Sequence, residues 1–176
     1  MASALVLGSE QAKLYVADFG EHAVVRITGR ANCLSSVPFK RVVNGLIVRG
    51  NRNFTLDLSD CQLMDSTFLG VLVGLNRTLA QSEVAGRFSL YRPTESVCVL
   101  LDNLGILELF STIESLGQAV DVDSVESSGP EDKIELIRTS LEAHRILIDA
   151  NSENEVKFKE VTRFLEEDLA HQEAAG

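Results

Sequence analysis

The 176-residue chain is 45% hydrophobic and 24% charged, enough apolar matter for one core and too much charge for a membrane bundle. Its net charge of -10 is uneven: residues 1–120 carry 10 Lys and Arg against 11 Asp and Glu, whereas residues 121–176 carry 6 against 15. A polyanion would be repelled by the tail and barely attracted by the body, which argues against nucleic acid as a partner. Apolar runs are short and interrupted by charge, and no basic leader with an apolar stretch follows Met1, so the expectation is a cytoplasmic protein without membrane insertion. Cys33, Cys61 and Cys98 fit no paired metal-ligand spacing and leave an odd thiol in any disulfide scheme, as expected of reduced core residues.

In chain order, Leu14–Phe19 and Ala23–Thr28 read as two strands joined across Gly20-Glu21-His22, a hairpin with glycine in its turn. From Asn32 the period becomes helical. Phe39, Val42, Val43, Leu46 and Ile47 form one stripe, with Pro38 placed near the first turn and Gly50 at the C-terminal cap. Phe54–Leu58 alternates as a half-buried strand does, and Ser59–Gln62 breaks it into a loop.

A second helix is expected from Ser66 to about Ser82, apolar over more than half its circumference and therefore deeply buried in its first half. Gly70 and Gly74 lie four apart on one face, where the missing side chains would let the backbone approach a sheet. Phe88–Tyr91 reads as a strand closed by Pro93, and Thr94 as the N-cap of a helix bearing Val97, Leu100, Leu101 and Leu104. After Gly105 a short turn and an edge strand at Ser111–Ile113 are expected. Alternating strands and helices after an opening hairpin define an α/β domain with crossover helices, here residues 10–120.

Residues 121–130 (DVDSVESSGP) are acidic, small and proline-terminated, a linker by composition. Residues 131–170 read as a helical hairpin. Ile134, Ile137, Leu141 and Ile148 share one face of its first helix, and Ser152-Glu153-Asn154-Glu155 offers a capping box to a second bearing Phe158, Val161, Leu165 and Leu169. Two such helices bury too little against each other to stand alone, so they should dock on the body or pair with a second copy in a homodimer.

No catalytic set, metal site or cofactor motif stands out. His22 lies in a hairpin turn, His144 on a helix and His171 in an acidic tail, and no zinc-protease, nucleophile-elbow or phosphate-loop motif occurs. Asp57 and Asp60 could be set with Ser66 around a small enzyme's or ligand sensor's rim, but no further member completes such a site. The expectation is a non-enzyme with no cofactor.

The stretch with chemical content is Leu56-Asp57-Leu58-Ser59-Asp60-Cys61-Gln62-Leu63-Met64-Asp65-Ser66-Thr67-Phe68-Leu69-Gly70-Val71-Leu72: a strand, a loop, then Met-Asp-Ser-Thr at the head of an apolar helix. It resembles the signature of the STAS domain of bacterial anti-sigma-factor antagonists. Pro93–Val97 and Leu100–Leu107 resemble that family's next helix and its exit. The resemblance spans about residues 12–117. It implies a mixed four- or five-stranded sheet with crossover helices, to which this chain adds a C-terminal α-helical hairpin.

The resemblance also implies partner switching. The unphosphorylated antagonist binds an anti-sigma factor that is itself a serine kinase, phosphorylation of the motif serine releases it, and a serine phosphatase restores it. On this chain the acceptor is Ser66, with Thr67 as a secondary site, and the partner-binding surface is Arg30, Asn32, Asp60, Gln62, Met64, Asp65, Ser66, Thr67 and Phe68. Gly29-Arg30-Ala31-Asn32 departs from the acidic stretch usual in antagonists of this kind. STAS domains also serve as non-phosphorylated subunits or scaffolds of larger assemblies such as lipid-transport ATPase complexes. Elementary electrostatics is compatible with a phosphorylated Ser66, since a helix N-terminus favours negative charge on its first residues.

Overall fold

The computed structural model describes residues 11–116, 120, 122–125, 129–130 and 132–176. The linker positions 121 and 126–128 and the first residues of the chain lie outside the described residues. The opening hairpin pairs β1 (Lys13–Asp18) antiparallel with β2 (His22–Ala31). The ten residues of β2 exceed what β1 needs, and the surplus organises the whole domain. Its first half pairs in parallel with β3 (Asn53–Asp57), and its last three residues pair in parallel with β4 (Cys61–Met64). The register shifts between Gly29 and Arg30, where Gly29 adopts a φ of 76° that only glycine takes without strain.

Ser59 and Asp60 turn as expected, but the second half of the expected loop, Cys61 and Gln62, opens the short strand β4 instead. Its ends, Cys61 and Met64, are buried while Gln62 and Leu63 face outward. Beyond β3 the sheet continues through β5 (Arg87–Tyr91) and β6 (Ser111–Ile113), both parallel, giving the strand path β6-β5-β3-β2-β1-β7. The outermost strand, β7 (Asp123–Val125), pairs antiparallel with β1. The segment read as linker therefore contributes an edge strand, and the mixed sheet is wider than four or five strands. Acidic residues suit such an edge, because charge there discourages pairing with another chain.

Helix α1 (Cys33–Arg49) begins with a capping box: the Asn32 carboxamide oxygen accepts from the Leu34 and Ser35 amides, and Ser35 Oγ accepts from the Asn32 amide. It ends at Gly50, whose φ is 110°. Pro38 sits one turn further in than expected and is buried. Helix α2 (Ser66–Ala80) lies beside α1, and the rings of Phe39 and Phe68 meet at a centroid distance of 4.7 Å. Helix α3 (Glu95–Asn103) packs beside β4, with the Ser96 hydroxyl donating to the Gln62 carbonyl. Thr94 precedes it without capping it, because its hydroxyl donates instead to the Cys61 carbonyl.

The C-terminal helices α4 (Lys133–Ala150) and α5 (Asn154–Ala175) form the expected hairpin, and α4 docks on α2 and, less closely, on α1. Sheet, α1 and α2, α4, and α5 thus succeed one another outward. Gly70 and Gly74 face α4 rather than the sheet: a Cβ on Gly70 would lie 2.3 Å from the Ala143 carbonyl oxygen, and one on Gly74 would lie 2.7 Å from the Ile146 side chain. Ser152 does not cap α5; the Asn151 side-chain oxygen accepts from the Glu153 amide, and buried Asn154 donates to the carbonyls of Leu104 and Leu147. Val161 faces outward, 40% exposed, and Thr162 takes the inward position.

Candidate functional site

The site is built by two strand-to-helix junctions placed side by side. Because β2 and β4 run parallel with Ala31 opposite Met64, the helices that follow them start next to each other, and the Asp65 amide donates to the Ala31 carbonyl at 2.9 Å. The Asp65 carboxylate serves both starts. One oxygen accepts from the Phe68 amide at 2.9 Å as the N-cap of α2, and the other accepts from the Cys33 amide of α1 at 2.7 Å. One negative charge thereby faces the positive ends of two helix dipoles.

Since Asp65 caps, the Ser66 hydroxyl has no duty in the backbone. Ser66 is half-buried at the first position of α2, and its Oγ lies 2.9 Å from Nε2 of His144 on α4. The ring's other nitrogen, Nδ1, is 2.7 Å from the Ser140 carbonyl. A carbonyl only accepts, so Nδ1 carries the proton, Nε2 is bare, and the Ser66 hydroxyl donates to it. His144 is 5% exposed, with Phe158 of α5 edge-on at 5.0 Å. Burial lowers its affinity for a proton, against smaller opposing effects of the Ser140 carbonyl and the Asp65 charge.

The other expected site residues divide by burial. Arg30, Asp60 and Gln62 are exposed and Asn32 is half-buried, forming a rim at the same end of the domain. Met64, Thr67 and Phe68 face inward at 1%, 5% and 0% exposure, so they hold the helix start in the core and present no surface to a partner. The Thr67 hydroxyl is likewise poorly placed as a second acceptor. Exposed Leu34 and Leu63 complete the rim and were not anticipated; Leu63 stands opposite Arg30 in the β2–β4 register. Asp57 is occupied, paired with Arg26 at 2.7 Å and accepting from the Ser59 amide and hydroxyl, which leaves it no part in a carboxylate pair with Asp60.

His144 itself could have been found from the sequence. It falls on the stripe Ile137, Leu141, His144, Ile148, and a histidine on an apolar stripe requires a polar partner from the surface it meets. Among the described residues no cluster of His, Cys, Asp and Glu could hold a metal ion. Among the described residues no helix is long and apolar enough to cross a membrane.

The STAS domain model matches residues 16–119, and the chain belongs to that family. No curated protein matches the chain. Among solved structures, the anti-sigma factor antagonist SpoIIAA in its unphosphorylated form is similar at 18% identity and a TM-score of 0.51, over 57% of this chain and 88% of that one. An anti-sigma factor antagonist from Mycobacterium paratuberculosis is similar at 15% identity and 0.53, over 60% and 88%. The protein TM1081 is similar at 20% identity and 0.52, over 66% and 92%. At these identities the likeness establishes the fold, and the family match ends before α4 and α5.

Proposed function

We propose that this chain is a regulatory protein-binding module of the anti-sigma-factor-antagonist type, acting in the cytoplasm on transcription through reversible phosphorylation of Ser66. Its partners are an anti-sigma factor serine kinase and a serine phosphatase. The single observation that carries the reading is the division of labour at the head of α2: Asp65 supplies the cap, so the fold does not depend on the Ser66 hydroxyl. A phosphate added there meets the free N–H groups of a helix N-terminus, and the body tolerates it.

A partner gripping the rim of Arg30, Leu34, Gln62 and Leu63 would instead meet about -1.5 to -2 of new charge next to Asp65. Burying that charge without a cationic partner costs several kcal/mol, and each ~1.4 kcal/mol is tenfold in affinity. The test is intact-mass measurement of the protein from its native cells, with and without phosphatase, and peptide mapping. One phosphate on Ser66 is expected, with the Ser66→Ala variant retaining the co-purified kinase and Ser66→Glu losing it; equal retention by both variants would refute the switch.

A further inference from the structure

The surface around Ser66 is not open. The residue whose modification is proposed is bonded to a helix outside the family domain, and that helix rests on the two glycines of α2. Resting on the reading of Ser66 as a phosphoacceptor, we propose that α4 is an intramolecular cover: its seat on α2 and a phosphate on Ser66 exclude one another, so displacement of the C-terminal hairpin governs access to the serine, and modification in turn releases the hairpin.

The geometry leaves His144 little freedom to accommodate a phosphoryl group. A hydroxyl fits the 2.9 Å between Oγ and Nε2, whereas a phosphoryl group bonded to Oγ along that direction does not. The neutral ring's Nε2 offers a lone pair, which a hydroxyl satisfies and an oxygen of the dianionic phosphate present at pH 8 does not. The ring is held at its other nitrogen by Ser140 of its own helix and is enclosed by Phe158. The adjacent residue, Ala143, is the one whose backbone lies against Gly70. His144 therefore moves when α4 moves.

The seat is built to be separable. Toward α2 it is close and apolar, through Ala143 at Gly70 and Ile146 at Gly74. Toward α1 it is bridged by ion pairs, Lys40 with Glu142 at 2.7 Å and Arg41 with Glu135 at 2.6 Å, beside clefts of about 330 and 350 Å³. Partly exposed pairs of this kind contribute little each, so the α1 side adds little to the hold. Coupling between two events at one contact is reciprocal: whatever a phosphate costs the seat, the seat costs the phosphate.

Two measurements on the full chain test the cover without needing the kinase. In hydrogen exchange at pH 8, Ser66→Glu is expected to speed exchange of the α4 amides, residues 133–150, by about tenfold or more beyond Ser66→Ala, which loses only the hydrogen bond to His144, with β3 and β5 unchanged in both. Protection of α4 in Ser66→Glu equal to that in Ser66→Ala would overturn the proposal.

The second measurement uses thiol labelling of Ser66→Cys with Cys33→Ser and Cys98→Ser. Cys61 stays silent because it is fully buried and burial pushes its thiol up to about 11. Adding Gly70→Ala, which sets a methyl against the Ala143 backbone, is expected to raise the labelling rate about tenfold. An unchanged rate with β3 and β5 still protected would overturn the cover; if Gly70→Ala unfolds the body, the exchange measurement decides. The intact-mass experiment speaks only to whether Ser66 is modified in cells, so failure of that reading and failure of the cover are distinguishable.

Discussion

The two sides of α2 are held by different physics. On its core side Phe68, Leu69, Leu72 and Val73 are almost wholly buried with Phe39 and the sheet strands, so its stability there is that of the whole domain. On its outer side it offers Gly70 and Gly74 to α4, together with one hydroxyl and a histidine. The first side makes the helix permanent. The second is where, on the proposal above, α4 can leave while the helix stays held by its core side. A serine at the seam of these two sides is well placed to act on the second without disturbing the first.

Breaking the core side should have the largest effect. Phe68→Ala removes one ring of the Phe39–Phe68 pair from a site with no exposure and should cost about 3–5 kcal/mol, read as a lower denaturant midpoint for body and hairpin together. A loss confined to α4 and α5 would contradict the division. Next is Asp65→Ala, which strips the cap from α2 and the acceptor from the Cys33 amide at once, for a loss of about 2 kcal/mol in the same measurement. Asp65→Asn should recover only part of it. The carboxamide oxygen can replace one acceptor, but its nitrogen is a donor and cannot receive the other N–H.

Much of this arrangement is legible in the sequence, and the exceptions have physical causes. The hairpin, α1, β3, α2 and β5 announce themselves by period and by Gly20, Asn32 and Gly50, because each pattern spans enough residues to be distinctive. Strand β4 is four residues long and pairs only with the overhang of β2, so it has no pattern to display. Thr94 looks like a cap, yet its hydroxyl goes to a carbonyl from a distant segment that no local motif predicts. Gly70 and Gly74 reveal that something approaches α2 closely but are silent on what. Ser66 is conspicuous within its motif. His144 sits 78 positions away in a helix the family pattern does not include, so only the fold brings them together.

The smallest expected effect sharpens the comparison most, because it concerns one atom pair. Burial depresses the proton affinity of His144 below its ordinary value near 6.5, so the folded chain binds fewer protons there than the unfolded chain. The contribution of the neutral ring is therefore fully present above about pH 6.5 and is lost as pH falls through the lower folded value, by at most about 1.4 kcal/mol per pH unit. A protonated Nε2 can no longer accept from Ser66, and a positive charge then sits beside Phe158 with Asp65 as the nearby counter-charge. His22, bonded to Thr55, is shifted the same way by burial and would destabilise the body in parallel. Exchange protection of residues 133–150 between pH 8 and 5, compared between the unaltered chain and His144→Gln, separates the two, since the variant keeps His22. Protection of α4 in the unaltered chain should fall more steeply with acid than in His144→Gln, while protection of β3 should fall equally in both. Parallel slopes for α4 would mean that the histidine is indifferent to its proton and that the contact with Ser66 adds nothing to the seat.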